Sequence, residues 1–376
     1  MRVASYLLGR SVRGVLTLLL MIAVGFTLYF AVERQPPVAD YYPVVQHGAP
    51  PTRQQTDLVR HLFYLDRSKI GLYLTYLGHL AEGDLGHSST ITLDAAQNGH
   101  IVDAGPVAPY QALRVTLSIL IGGAVLVLLL ALPLGAISGT RIGSWTDRAI
   151  SFGALVLVCT HPMMLGLILK SAGGKVSWLP TSGYCTLLKR PTPTATRLHL
   201  PNGTVLRAPL NYHLCGGPKE WATHLILPWL TFAFLFLALY TRMIRASVAE
   251  TIHEDFVRTA RAKGASQLRV ISRHVLPSAG LRVLTMVGME IGTAIGVCVY
   301  IESAFGDNGL GSLAVNTLGG GLGALNLPYV LAVIVLITLI VVVGNLIVDM
   351  LYAVLDPRVG LQRGQQRTKS LVGGVF

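Results

Sequence analysis

Six apolar stretches, each about long enough to cross a bilayer, constrain this chain more than any other feature. They are Val15–Val32, Val115–Ile137, Ala149–Leu169, Ala222–Thr241, Val283–Ile301 and Tyr329–Val348. A helix needs ~20 apolar residues to span the hydrocarbon core. Inside hydrocarbon every backbone N–H and C=O must be paired, so each stretch is expected as a transmembrane helix. The expected fold is all-α and integral to the membrane, with six such helices. Composition supports it: 52% of residues are hydrophobic and 13% charged, about half the ~25% charge of a soluble domain. That excludes a disordered chain and argues against a soluble globular enzyme.

The net charge of +12 would suggest a nucleic-acid partner in a soluble protein. Here the positions of the charges decide. Arg2, Arg10 and Arg13 precede the first stretch, and Arg141 and Arg148 lie in the short link after the second. Residues 242–282 hold eight basic residues against Glu250, Glu254 and Asp255, and the tail carries Arg358, Arg363, Arg367 and Lys369. With six helices these segments share one side, which the positive-inside rule makes cytoplasmic. The other side carries two long loops, about 33–112 and 170–221. The first stretch follows a positive start, as a signal peptide would, but it is too long for a 7–15-residue h-region and no A-x-A-like site follows, so a retained helix is expected.

Four cysteines are present. Cys159 and Cys298 lie inside spans and read as small buried hydrophobes. Cys185 and Cys215 lie in the second outer loop, where an oxidising compartment would allow them to pair; two free thiols are the alternative. The segment Gly183–Pro218 has little periodicity and five prolines, and it suggests a short strand pair around Asn202-Gly203. No histidine pair has metal-ligand spacing, so no metal site is expected. Neither a G-x-x-x-x-G-K-[ST] phosphate loop nor a nucleophile constellation is present, so neither an ATPase nor a hydrolase site is expected in this chain.

Residues 242–282 are the informative part. Ile244, Val248, Ile252 and Phe256 recur every four positions, an apolar stripe on a helix that Gly264 is expected to end. Leu268, Ile271 and Val275 suggest a second short helix ended by Pro277. One reading is a basic amphipathic hairpin lying on anionic lipid. The other is a docking knob for a soluble partner, favoured by Arg258-Thr-Ala-Arg-Ala-Lys-Gly264 with Leu276-Pro277 at a set distance.

Residues 254–277, EDFVRTARAKGASQLRVISRHVLP, resemble the coupling loop of ABC importer permeases. The likeness is closest to the oligopeptide/dipeptide/nickel permease family, whose loops typically read RTARAKG. Three other stretches agree in order. Tyr73-Leu-Thr-Tyr-Leu-Gly-His-Leu-Ala-Glu-Gly-Asp-Leu-Gly86 resembles the family's outer-loop signature. Ile301-Glu-Ser-Ala-Phe-Gly-Asp-Asn-Gly-Leu-Gly311 resembles its E-x-x-F…G-L-G segment, with Asn308 where the family usually has proline. Asp349-Met-Leu-Tyr-Ala-Val-Leu-Asp-Pro-Arg358 resembles the end of its sixth helix. The family's A-P-G-D-P stretch after the first helix is absent, and Gly183–Pro218 reads as an added outer loop between helices 3 and 4.

The resemblance implies a type I importer permease, the first of the two that such systems usually encode. It implies a first helix at 1–32, an outer loop at 33–109, a permease core at 110–356 and a basic tail at 357–376. It implies coupling to a cytoplasmic ATPase through Arg258, Thr259, Ala260, Arg261, Ala262, Lys263, Gly264, Leu276 and Pro277. ATP and Mg would be bound by those ATPase subunits; no cofactor is expected in this chain. A second permease subunit, an extracytoplasmic solute-binding protein, membrane lipid and a peptide substrate are the other implied partners. The implied location is the bacterial cytoplasmic membrane, with both termini cytoplasmic.

Glu290, Glu302 and Asp349 lie at membrane depth or its boundaries. Ionisable residues there are costly and usually face a cavity or partner. Each is a candidate for the translocation path or for a structural role, Glu302 and Asp349 leaning structural. A proton-driven secondary transporter with Glu290 as relay would explain that carboxylate but not the inner loop, and a membrane-embedded enzyme lacks a catalytic constellation.

Overall fold

The chain is described by a computed structural model over residues 2–32, 67–83, 85, 109–187, 197–199, 205–207, 213–318 and 327–355. The Asp356-Pro357-Arg358 end, the basic tail and most of the first outer loop lie outside these residues. The helices are α1 (Arg2–Val32), α2 (Lys69–Ala81), α3 (Tyr110–Thr140), α4 (Trp145–Val158), α5 (Pro162–Gly173), α6 (Pro218–Thr251), α7 (Asp255–Ala262), α8 (Gln267–Val270), α9 (Leu276–Phe305), α10 (Leu310–Leu318) and α11 (Leu327–Leu355). A π-helical turn, Ile271–Val275, joins α8 to α9.

Among the described residues, five helices carry membrane-length apolar spans, within α1, α3, α6, α9 and α11. The expected third span, Ala149–Leu169, is not straight. It is the pair α4 and α5, bent by 105°. Pro162 has no N–H to donate and its ring disfavours helical backbone at the preceding residue. His161 accordingly sits extended at φ −65° and ψ 138°, and its Nδ1 accepts from the Met163 N–H at 3.3 Å, capping α5.

The core is the packing of α3 on α6. Val115, Ile119, Val127 and Ala131 on α3 meet Leu225, Phe232, Phe236, Ile244 and Val248 on α6 in one buried cluster. With lipid as solvent, helix association depends on close contact rather than on exclusion of water. Gly135 and Gly139, a small-x-x-x-small pair, permit that contact. A Cβ at Gly135 would lie 2.6 Å from the Ile244 Cβ, and one at Gly139 would lie 2.7 Å from the Arg245 carbonyl oxygen. On the other flank α1 packs on α11, where a Cβ at Gly14 would lie 2.6 Å from Val342 Cγ1. The Tyr73 hydroxyl of α2 donates to the Leu19 carbonyl at 3.2 Å, tying α2 to α1.

A buried ion pair locks the α3–α6 contact at one end. Asp147, 3% exposed, accepts from Arg245 Nε at 2.6 Å and Nη2 at 2.8 Å. It also accepts from the Gly143 N–H at 2.9 Å and from the Ser138 hydroxyl. One carboxylate thus joins the end of α3, the start of α4 and the end of α6.

At the opposite end, Cys185 and Cys215 form a disulfide. Their strands, β1 (Cys185–Thr186) and β4 (His213–Leu214), pair in parallel. Between them β2 (Arg197–His199) pairs antiparallel with β3 (Val205–Arg207), registering Arg197 on Arg207 and His199 on Val205. The strand pair expected around Asn202-Gly203 is therefore present, its turn lying outside the described residues.

Breaking a buried ion pair by removing one partner costs about 3–5 kcal/mol. Asp147→Ala is expected to cost about 3 kcal/mol, the low end, because the Arg245 side chain keeps 31% exposure. Thermal unfolding in detergent should show a clearly lower Tm for Asp147→Ala and a smaller loss for Arg245→Lys.

Candidate functional site

Two features define the end that carries Asp147. The first is α7. The expected continuous stripe from Ile244 to Phe256 is broken, because α6 stops at Thr251 and the chain turns through Ile252, His253 and Glu254. Glu254 is extended at φ −65° and ψ 150° and starts α7 afresh. Ile244 and Val248 are buried against α3, Ile252 is half-buried and Phe256 is exposed. Val257, fully buried, is the residue that anchors α7.

The end of α7 is a Schellman motif. The Ala265 N–H donates to the Ala260 carbonyl at 3.2 Å, and the Gly264 N–H donates to the Arg261 carbonyl at 2.9 Å. Gly264 has φ +82°, a left-handed backbone that glycine adopts without steric cost. The corner presents Arg258, Thr259, Arg261, Ala262, Lys263 and Gly264 to the outside, with Ala260 half-buried behind them. Exposed Phe256 and Leu268 flank this basic surface. The Arg258–Asp255 pair at 3.7 Å is exposed and contributes little.

The second feature is the return into the membrane. Pro277 does not end a helix as expected; it lies in the first turn of α9. The Leu276 N–H donates to the Ile271 carbonyl, five residues back. This wider turn accommodates the proline without breaking the rod. Val270 and Val275 are buried, Leu276 is half-buried and Pro277 is exposed. Arg282 pairs with Glu250, joining the start of α9 to the end of α6.

Along the membrane, one face of α9 is open. Thr285, Met289, Thr293, Gly296, Tyr300 and Ser303 follow helical spacing and are exposed. Glu290 borders this face, half-buried, within electrostatic reach of Tyr240. The α4–α5 elbow meets the same face, with the His161 ring edge-on to Tyr300 at 5.1 Å.

Glu302 has a defined structural place. It is fully buried, accepts from the Thr116 hydroxyl at 2.5 Å and from the Ser312 N–H at 2.9 Å, and receives the Gly311 N–H as well. Thr116 in turn accepts from the Leu310 N–H at 2.9 Å. The carboxylate therefore caps the N-terminus of α10, whose first amides have no partner within the helix. A Cβ at Gly309 would fall on the carboxylate itself, and one at Gly311 would lie 2.6 Å from the Val299 Cα. The E…G-L-G spacing thus records a carboxylate packed on bare backbone. Asp349 pairs with Arg10 at 2.7 Å, joining α11 to α1.

Next to this cap, Asp307 is buried and its Oδ2 has no hydrogen-bond partner among the described residues. Burial pushes its carboxyl up to about 7; the Glu302 charge adds to the rise and Lys170 opposes it.

Residues 131–361, more than half of the chain, match the family described as binding-protein-dependent transport system inner membrane component. The chain belongs to this family. The permease is 30% identical over 82% of its length to a putative peptide permease protein of Brucella ovis, covering 85% of that protein. It is 32% identical over 76% of its length to an oligopeptide transport system permease protein of Bacillus subtilis, covering 79% of it. It is 30% identical over 82% of its length to a probable D,D-dipeptide transport system permease protein of Escherichia coli, covering 85% of it. The chain is thus an ABC importer permease with the type I importer fold, a multi-pass membrane protein.

Arg258–Gly264 lie together at the α7 corner and Leu276 and Pro277 start α9, whereas Glu290 lies along α9, Glu302 in its last turn and Asp349 on α11. Asp147, Arg245, Thr116 and Asp307 are absent from the candidate residues read in the sequence. For Asp147 a signal existed: Ser144-Trp-Thr-Asp147 has the S-x-x-D spacing of a helix start, and the Ser144 hydroxyl does accept from the Asp147 N–H at 3.2 Å.

A carboxyl that titrates near 7 when folded and near 3.8 when unfolded favours the folded state in its neutral form. Its contribution is complete below about pH 4 and is lost as pH rises to about 7. Asp307→Asn is expected to flatten the fall of Tm over that range, by an upper limit of about 4 kcal/mol. Tm measured from pH 4 to 8 for both proteins checks it.

Proposed function

We propose that this permease forms half of the translocation path of an ATP-driven importer of di- or oligopeptides. The observation that carries the reading is the exposed α7 corner, small and basic, seated on helices that run into the membrane. A soluble ATPase subunit with an acidic-rimmed groove would accept a corner built on Ala260, Ala262 and Gly264. Two such subunits hold the ATP and Mg; this chain contributes no nucleotide site and acts as a non-enzymatic subunit. On this reading the α7 end is cytoplasmic and so are both termini. The division into a first helix at 1–32, an outer loop at 33–109, a core at 110–356 and a tail at 357–376 belongs to the same reading.

The open face of α9 supports pairing with a second permease. Threonine, serine, glycine and tyrosine in a row are poor neighbours for lipid and suit a path or a subunit interface. Glu290 and the His161 elbow border that row, and broken helices are where transporters commonly place substrate. Peptide is the substrate class because the relatives above carry that designation. A solute-binding protein on the disulfide side would deliver it.

Affinity purification of the tagged chain in mild detergent is the direct test. Recovery of a P-loop ATPase, a second six-helix permease and a solute-binding protein is expected. A chain purified alone as a homo-oligomer would overturn the reading. Within the recovered complex, Gly264→Val forces a β-branched residue into left-handed backbone, at a cost of about 1–2 kcal/mol. Insertion and subunit assembly are expected to persist, with labelled-peptide uptake at least tenfold lower. ATPase activity that stayed tightly coupled to substrate would rule out the corner as the transmission point.

A further inference from the structure

Near the disulfide, an open groove of about 650 Å³ runs along the outside of α3. Its wall is one helical stripe: Arg114, Leu117, Ile121, Val125 and Leu129. Fifteen residues separate its ends, about 22 Å of helix. Its floor is aromatic, formed by Tyr184, Trp221 and Trp229. Trp229 comes close because Gly122 has no side chain; a Cβ there would overlap the indole.

The polar tips of these aromatics turn inward. Trp229 Nε1 donates to the Ser118 carbonyl at 2.9 Å and Trp221 Nε1 donates to the Tyr184 hydroxyl at 3.1 Å. That hydroxyl also lies 3.3 Å from the Ser118 hydroxyl. The floor is left with hydrocarbon facing out. Arg114 is the exception. It lies at the end of the stripe nearest the start of α3, half-buried, and none of the described residues bonds or pairs with it.

We propose that this groove is a binding site for one anionic phospholipid, with the headgroup phosphate on Arg114 and an acyl chain lying along Leu117–Leu129. The chemistry narrows the occupant. A guanidinium is permanently charged and matches phosphate geometry with a fork of donors. An apolar slot below it, lined by groups with no free donors, suits methylene. A peptide laid there would bury backbone amides with no partners, at a cost of a few kcal/mol each. Tryptophan and tyrosine at this level are what a headgroup boundary selects. The inference does not rest on the identity of the transported solute.

The test uses the full complex reconstituted in nanodiscs with a trace of phosphatidylglycerol carrying a photoreactive group in its acyl chain. Crosslinked peptides are mapped by mass spectrometry. Labelling of residues 117–129 is expected, at least fivefold above that from the matching phosphatidylcholine probe. Arg114→Ala is expected to reduce it about fivefold while Arg114→Lys retains most of it. Ile121→Trp, which fills the groove and leaves the charge, is expected to abolish it, so the proposal can still be tested if one variant fails to assemble. Equal labelling by the two lipids would reduce the groove to ordinary lipid contact and overturn the site. A photoreactive residue at Ile121 that crosslinked to the second permease would overturn it too, by making this face a subunit interface.

Discussion

The structure depends on how closely α3 and α6 can approach. In hydrocarbon nothing expels the two helices toward one another, so the contact rests on matched surfaces and internal polar bonds. Gly135 and Gly139 remove the side chains that would hold the backbones apart. Asp147 and Arg245 then add a paired charge where the contact reaches the membrane edge. A buried pair of this kind contributes less to net stability than its short distances suggest, since both ions lose water. Its value is in geometry: two donors on one guanidinium and two oxygens on one carboxylate allow a single relative placement of three helix ends.

The end that carries the disulfide solves a related problem by different means. Helix α10 begins amid buried residues, where unpaired amides are costly. Glu302 comes from the last turn of α9 and reaches those amides together with Thr116 from α3. The helix that crosses the membrane thus caps the short helix that follows it, and Gly309 and Gly311 leave the space. Disulfide, carboxylate cap and the Lys170 bond to the Ala304 carbonyl all act within this region.

Much of this was legible from residue patterns, for physical reasons that can be named. Apolar runs of bilayer length report helices because the backbone has no other way to satisfy itself in lipid. Gly264 was readable as a helix end because few residues tolerate its backbone. The details that differ involve competition between local and tertiary effects. Residues 149–169 read as one straight span by hydropathy; together they still count as a candidate span, but Pro162 puts a 105° bend in it, and hydropathy is blind to direction. The stripe from Ile244 to Phe256 has ideal spacing but crosses the end of the α3 contact, where burial stops and Val257 takes over as anchor. Pro277 reads as a terminator unless the wider turn before it is known, and such turns have no sequence signature. Asp147 and Arg245 are 98 residues apart, beyond anything periodicity reports.

The π-helical turn before α9 has a mechanical consequence. Because the chain passes Pro277 without a break, the segment after the α7 corner continues as a single rod to Phe305. The 30 residues of α9 make a bar about 45 Å long. If such a bar tilts by about 5° around its first turn, its last turn sweeps about 4 Å. That last turn holds the carboxylate on which α10 is seated. A hinge at Pro277 would have absorbed the same tilt locally; a stiff joint delivers it, magnified, to the far side of the membrane.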